Sequence, residues 1–155
     1  MPRSIILSLA LIATPSLMAQ TIHTTADLQQ HEAKLLAAAK ASPTGLASET
    51  MDDYGNDRTL LVVRVHTGGS ERHQFWADQM VVQSGTITLI TGGNMQQEHP
   101  NGSSPGETIG NGIDGGKEVV LHAGDIAHIP ANIPHWVKIA PGTTTTYLIF
   151  KEKEK

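Results

Sequence analysis

Gly124-Asp125-Ile126-Ala127-His128-Ile129-Pro130-Ala131-Asn132-Ile133-Pro134-His135 contains two short β-forming runs joined by a corner. Asp125 follows a glycine turn, where a carboxylate can accept from free backbone N–H groups. Pro130 and Pro134 set the course of the chain around the corner. Asn132 stands where a left-handed residue is expected, and asparagine tolerates that conformation better than most residues. The corner therefore delivers His135 at the start of the next strand, on the same face as Val137 and Ile139. A histidine on an otherwise apolar face is either a ligand or a satisfied core residue.

The same rhythm extends on both sides. Thr59–His66 (TLLVVRVH), Met80–Gln83, Thr86–Thr91, Glu118–His122, Ile126–Pro130, His135–Ile139 and Thr144–Lys151 are short β-rich runs punctuated by glycine or proline. Ser84-Gly85 reads as a tight hairpin between two of them. Regular short strands of this kind predict an all-β sandwich, jelly roll or small barrel rather than a βαβ fold. One helix precedes them, over residues 24–41. Thr24 or Thr25 can cap it, Leu28, Leu35, Leu36 and Ala39 recur at helical spacing, and Ser42-Pro43-Thr44-Gly45 stops it. His31 lies between polar neighbours and is expected to be solvated.

Met1-Pro2-Arg3, the apolar run Ile5–Ala13 and the small residue Ala19 read as a secretory signal over residues 1–19, which predicts a periplasmic or secreted protein. The run is too short for a bilayer, which takes roughly 20 apolar residues. No later segment is long and apolar enough to span. Residues 20–57 are expected to hold the helix and a linker, residues 58–150 the barrel, and residues 151–155 a charged, solvated tail.

Without Arg3, 10 basic residues face 15 acidic ones, a charge of −5 with no basic stripe, which argues against nucleic acid as a partner. The cysteine count is zero, so disulfides and thiolate ligands are excluded and any metal must be held by nitrogen and oxygen. Gly92–Gly116 holds eight of the 15 glycines and little apolar pattern. It reads as a long loop, either a lid over a barrel mouth or a surface excursion. Trp76 and Trp136 are expected to anchor packing, with Trp136 facing away from His135.

From Gly124 through Pro130 to His135, the spacing resembles the second motif of the cupin superfamily, G-x5-P-x-G-x2-H-x3-N. Asn132 replaces the second glycine and Ile139 the final asparagine. The first motif, G-x5-H-x-H-x3-4-E-x6-G, is loosely matched by Gly69–Gly85 (GSERHQFWADQMVVQSG). Asp78 fits the spacing from carboxylate to glycine. With His73 taken as the first histidine, Phe75 stands in place of the second and the interval to Asp78 is short.

The resemblance implies a double-stranded β-helix, or jelly-roll barrel, with a divalent metal (manganese, iron, zinc or nickel) held by His73, Asp78 and His135. His73 then needs a bulge to reach the others. His128 alternates with Ile126 and Pro130, which makes it a candidate inward donor. Gln79 is the alternative oxygen ligand if the register slips by one. Asp78 shares a face with Met80 and Val82.

Three functions fit this reading: a metal-dependent dioxygenase, isomerase or lyase acting on a small polar organic molecule; a binding module for a small molecule or metal; and a structural dimer with an empty barrel. A homodimer is the expected assembly in each case.

Overall fold

The computed structural model describes residues 21–102 and 104–154; the expected signal segment, 1–19, lies outside the described residues. The chain opens on α1 (Thr25–Ala41), and Thr24 caps it reciprocally with Asp27: Asp27 N–H donates to Thr24 Oγ1 at 3.2 Å while the Asp27 carboxylate accepts from the Thr24 backbone at 3.0 Å. Among the described residues thirteen strands follow. In order they are β1 (Leu46–Asp53), β2 (Asp57–Arg64), β3 (Ser70–His73), β4 (Trp76–Ser84), β5 (Thr86–Thr91), β6 (Asn94–Gln96), β7 (His99–Pro100), β8 (Glu107–Gly110), β9 (Gly112–Asp114), β10 (Lys117–His122), β11 (Ile126–Ile129), β12 (His135–Lys138) and β13 (Thr145–Lys153).

They form two antiparallel sheets, ordered β1-β2-β13-β4-β11 and β10-β5-β12-β3-β8-β7, with β6 and β9 making a separate ribbon. The inner faces of the two sheets supply one core of Val62, Met80, Val82, Ile87, Leu89, Leu121, Ile129, Val137, Ile139, Tyr147 and Ile149. A second core lies outside the five-stranded sheet, where Leu35 and Ala39 of α1 cover Leu61 and Val63. This explains the unbroken apolar run of β2: its residues alternate between the barrel interior and the helix, so both faces are buried. Among the described residues no helix is long and apolar enough to cross a membrane.

Sequence and structure part company at four places. Residues 46–53, expected as linker, form β1, paired along its length with β2. Its sequence, LASETMDD, lacks clear alternation because exposed residues fall on both faces and a bulge between Thr50 and Asp52 shifts the register. Ser84-Gly85 is not a hairpin. β4 and β5 lie in different sheets, so the chain crosses the sandwich there. Gly85 has φ +80°, and a Cβ on it would lie 2.5 Å from the Thr144 carbonyl oxygen, so the corner requires glycine.

The long 92–116 segment carries four short strands, of which β8 pairs with β3 and brings Glu107 opposite His73. The charged end is not wholly a solvated tail: β13 runs to Lys153, and the Lys151 side chain is only 15% exposed.

Candidate metal centre

The corner read from sequence is formed as expected. Asn132 has φ 62°, Asp125 accepts from the His122 N–H at 2.7 Å, and the Asn132 N–H donates to the His73 carbonyl at 2.7 Å. The corner is thus tied directly to β3. His135 emerges from it inward, beside Val137, while Trp136 turns outward and donates Nε1–H to the Gly68 carbonyl at 2.7 Å. On β3, Glu71 and His73 are two residues apart and share the inner face. Asp78 projects from the inner face of β4, on the opposite sheet, with Met80 and Val82.

These side chains converge. Asp78 Oδ2 lies 3.4 Å from His73 Nε2 and 3.9 Å from His135 Nε2, and Glu71 Oε2 lies 3.6 Å from His73 Nε2. The two imidazole centroids are 5.1 Å apart. One donor atom from each of Glu71, His73 and His135 lies within 4.8 Å of the others. A first-row divalent ion holds such atoms at about 2.0–2.2 Å, which places neighbouring donors roughly 3.0–3.5 Å apart, so a small contraction closes the set.

Both rings are oriented for the same task. His73 Nδ1 pairs with the Glu107 carboxylate, and His135 Nδ1 faces the Ile133 carbonyl at 3.3 Å. An oxygen acceptor on Nδ1 fixes the tautomer and leaves Nε2 for a metal.

The electrostatics follow from burial and pairing. Burial works to lower the His73 pKa, but Asp78 and Glu107 outweigh it and raise it to about 9, against the charge of Lys151. Burial works to raise Asp78, yet His73 and Lys151 hold it at about 2. Glu107 is likewise held below the usual carboxylate range despite burial, chiefly by His73. His135 is pushed down by burial, which favours the neutral ring that a metal requires. Lys151 Nζ bonds Asp78 Oδ1 at 2.6 Å.

Of the residues singled out from sequence, His73, Asp78 and His135 are brought together and His128 is not. His128 is exposed on β11 and pairs across to Gln79, which is also exposed. The inward residue of that pair of positions is Ile129, 2% exposed, so the alternation through Ile126 and Pro130 marks the outer face. Gln79, the alternative ligand, is excluded by the same alternation. His73 needs no bulge: it belongs to the sheet facing Asp78, and the chain crosses between sheets at Gln74-Phe75.

The fold resembles known structures. Oxalate oxidase superposes with a TM-score of 0.52 at 15% identity, over 73% of this chain and 53% of that one. The cupin domain of Cnp3 from Schizosaccharomyces pombe gives 0.51 at 5% identity, over 70% and 61%. The chain has the cupin fold. Protein NMB1881 from Neisseria meningitidis superposes over 86% of this chain and 99% of its own, with a TM-score of 0.54 at 13% identity. The chain spans about half the length of the oxalate oxidase chains it resembles. No family model and no curated protein matches the sequence.

The spacing of the first cupin motif is met more fully in a register different from the one expected. Glu71 stands in the place of the first histidine and His73 in that of the second. Asp78 then follows after four residues, and Gly85 after six more. Glu71 is the residue that sequence reasoning missed. Its signal was the interval of four from His73 to Asp78, which fits the motif only if a carboxylate replaces the first imidazole.

Proposed function

We propose that this protein is a small metal-binding cupin in which Glu71, His73, Asp78 and His135 hold one divalent ion. The observation that carries the reading is the paired anchoring of the two imidazoles, each with Nδ1 on an oxygen acceptor and Nε2 turned to the same point near Asp78 Oδ2. Two nitrogen and two oxygen donors without thiolate suit manganese, iron, zinc or nickel. When bound, such an ion supplies Lewis acidity to a ligand oxygen.

The chain's own residues do the rest. Glu107 orients His73, and Lys151 holds Asp78 through the oxygen not aimed at His73. Leu60, Val62, Met80 and Val137 keep the adjoining cavity largely apolar. The reaction class that follows is enzymatic work on a small polar organic molecule, of dioxygenase, isomerase or lyase type.

Elemental analysis of protein purified without added metal tests this reading. One equivalent of divalent metal is expected in the wild type and none in His135→Ala or His73→Ala. A wild type without stoichiometric metal, as stable as those variants, sinks it. The ion pair between Lys151 and Asp78 favours a second reading, a binding module that works without metal. Turnover that survives removal of metal to below one part in a hundred contradicts the first reading.

Export belongs to the same proposal and rests on the leader-like residues 1–19. An envelope fraction yielding protein whose intact mass begins at Gln20 supports it, and retention of Met1 in that fraction counts against it. A homodimer is supported by β10, which among the described residues pairs only with β5 and exposes Val119 and Val120 by 40% and 52%. Sedimentation of wild type against Val120→Lys decides it, with a dimer expected for the first and a monomer for the second.

A further inference from the structure

Glu71, His73, Asp78 and His135 line a half-open cavity of about 130 Å³ in the barrel. Its walls include Leu60, Val62, Met80, Val137 and Ile149, and two of its polar groups, Arg64 and Tyr147, have no part in holding the ion. Arg64 is 3% exposed and Tyr147 is 3% exposed, both on inward faces of the five-stranded sheet. A fully buried guanidinium is costly unless its charge and its five N–H donors are matched.

Here the match is incomplete. Among the described residues Arg64 has one hydrogen bond, from Nε to the Tyr147 hydroxyl at 3.4 Å. Its nearest carboxylate oxygen, Glu71 Oε1, is 3.9 Å from Nη2, beyond hydrogen-bond reach. Lys151 differs, since its ammonium is already committed to Asp78 at 2.6 Å. The Tyr147 hydroxyl, having accepted from Arg64, retains its own hydrogen to give. The seat is shaped for the guanidinium: a Cβ on Gly68 would come within 2.2 Å of Nη1.

We infer that Arg64 and Tyr147 form the recognition site for the carboxylate of a small organic anion, whose short apolar body occupies the cavity beside the metal. The planar fork of arginine matches a carboxylate through two parallel hydrogen bonds, and the tyrosine hydroxyl adds a third donor. Charge balance points the same way and rests on the metal reading above. With a divalent ion present, that ion, Arg64 and Lys151 outweigh Glu71, Asp78 and Glu107 by one positive charge, which one monoanion neutralises.

Calorimetric titration of butyrate into zinc-loaded and metal-free protein, with butanamide as the neutral control, tests the assignment. The loaded wild type is expected to bind one equivalent of butyrate and at least 50-fold less butanamide. Arg64→Gln should lose butyrate binding by at least 50-fold while keeping one zinc per chain. Tyr147→Phe, which preserves volume and keeps the result interpretable if Arg64→Gln does not fold, should weaken butyrate five- to tenfold.

Equal binding of acid and amide, or unchanged butyrate affinity in Tyr147→Phe and Arg64→Gln, overturns the assignment. No butyrate binding to a wild type that holds one zinc overturns it too, and leaves the metal reading standing. If zinc is not held, that reading fails separately. Butyrate binding to the metal-free chain that is lost in Tyr147→Phe then still supports the carboxylate site, and its absence overturns it.

Discussion

His73 sits between two carboxylates, and the sign of its perturbation sets how the metal-free protein responds to pH. Its pKa rises from 6.5 to about 9 on folding, so the stability it confers is complete below about pH 6.5 and is lost as pH rises through 9. A shift of that size corresponds to a contribution on the order of 3 kcal/mol. Asp78 runs the other way. Held at about 2, it stabilises the fold above about pH 4, and that contribution disappears as pH falls through 2.

The metal-free chain should therefore melt highest between about pH 4 and 6.5 and lose thermal stability towards pH 9. His73→Gln should flatten the alkaline slope in a calorimetric scan. Zinc must displace the His73 proton, so its apparent affinity should climb by up to roughly 100-fold between pH 6.5 and 8.5. Glu107→Gln removes the carboxylate that orients His73, and should weaken zinc binding about 10- to 100-fold in competition with a chelator. His128→Ala should leave the metal content unchanged, because that ring lies on the outer face of β11.

At the scale of elements, seven of the thirteen described strands were legible. β4, β5, β11 and β12 alternate between a wet and a dry face, β2 and β13 carry a largely buried apolar run, and β10 shows only an apolar stretch between turns. The helix announced itself by its cap and its leucines. Sheet membership was not legible. Gly85 looks like a hairpin tip in sequence because hairpins and sheet-crossing corners both need a left-handed residue.

Gly85→Ala tests the corner. The positive φ costs about 1–2 kcal/mol, and the contact with the Thr144 carbonyl adds to it, so the denaturation midpoint should fall by more than the backbone term alone. Thr24→Ala removes the cap of α1 and should cost about 1 kcal/mol in the same measurement. That helix covers Leu61 and Val63, so its loosening would expose the outer face of β2.

Across the whole molecule, the candidate metal site spans the two sheets. Glu71, His73 and His135 come from the six-stranded sheet and Asp78 from the five-stranded one, so an ion held between them, as proposed, would act as a cross-link. At a free zinc concentration 100 times the dissociation constant, mass action stabilises the fold by about 2.7 kcal/mol. For a domain of this size the melting temperature should rise roughly 5–10 °C in differential scanning fluorimetry, and the His135→Ala protein should show no rise.

The amino-acid sequence by itself determined the all-β class, the helix, the turn at Asn132 and the inward placement of His135, while the structure chose Asp78 over Gln79 as the inward residue. The sequence-determined features are set by local rules: strand alternation, capping and the few residues that accept a left-handed backbone. Only the tertiary structure decided that Glu71 joins the site, that Glu107 and Lys151 hold its members, and that His128 stays outside. Those outcomes depend on which strands face each other across the sandwich. Glu107 is 34 residues from His73 and Lys151 is 73 from Asp78, distances over which residue spacing carries no geometric information until the sheets have paired.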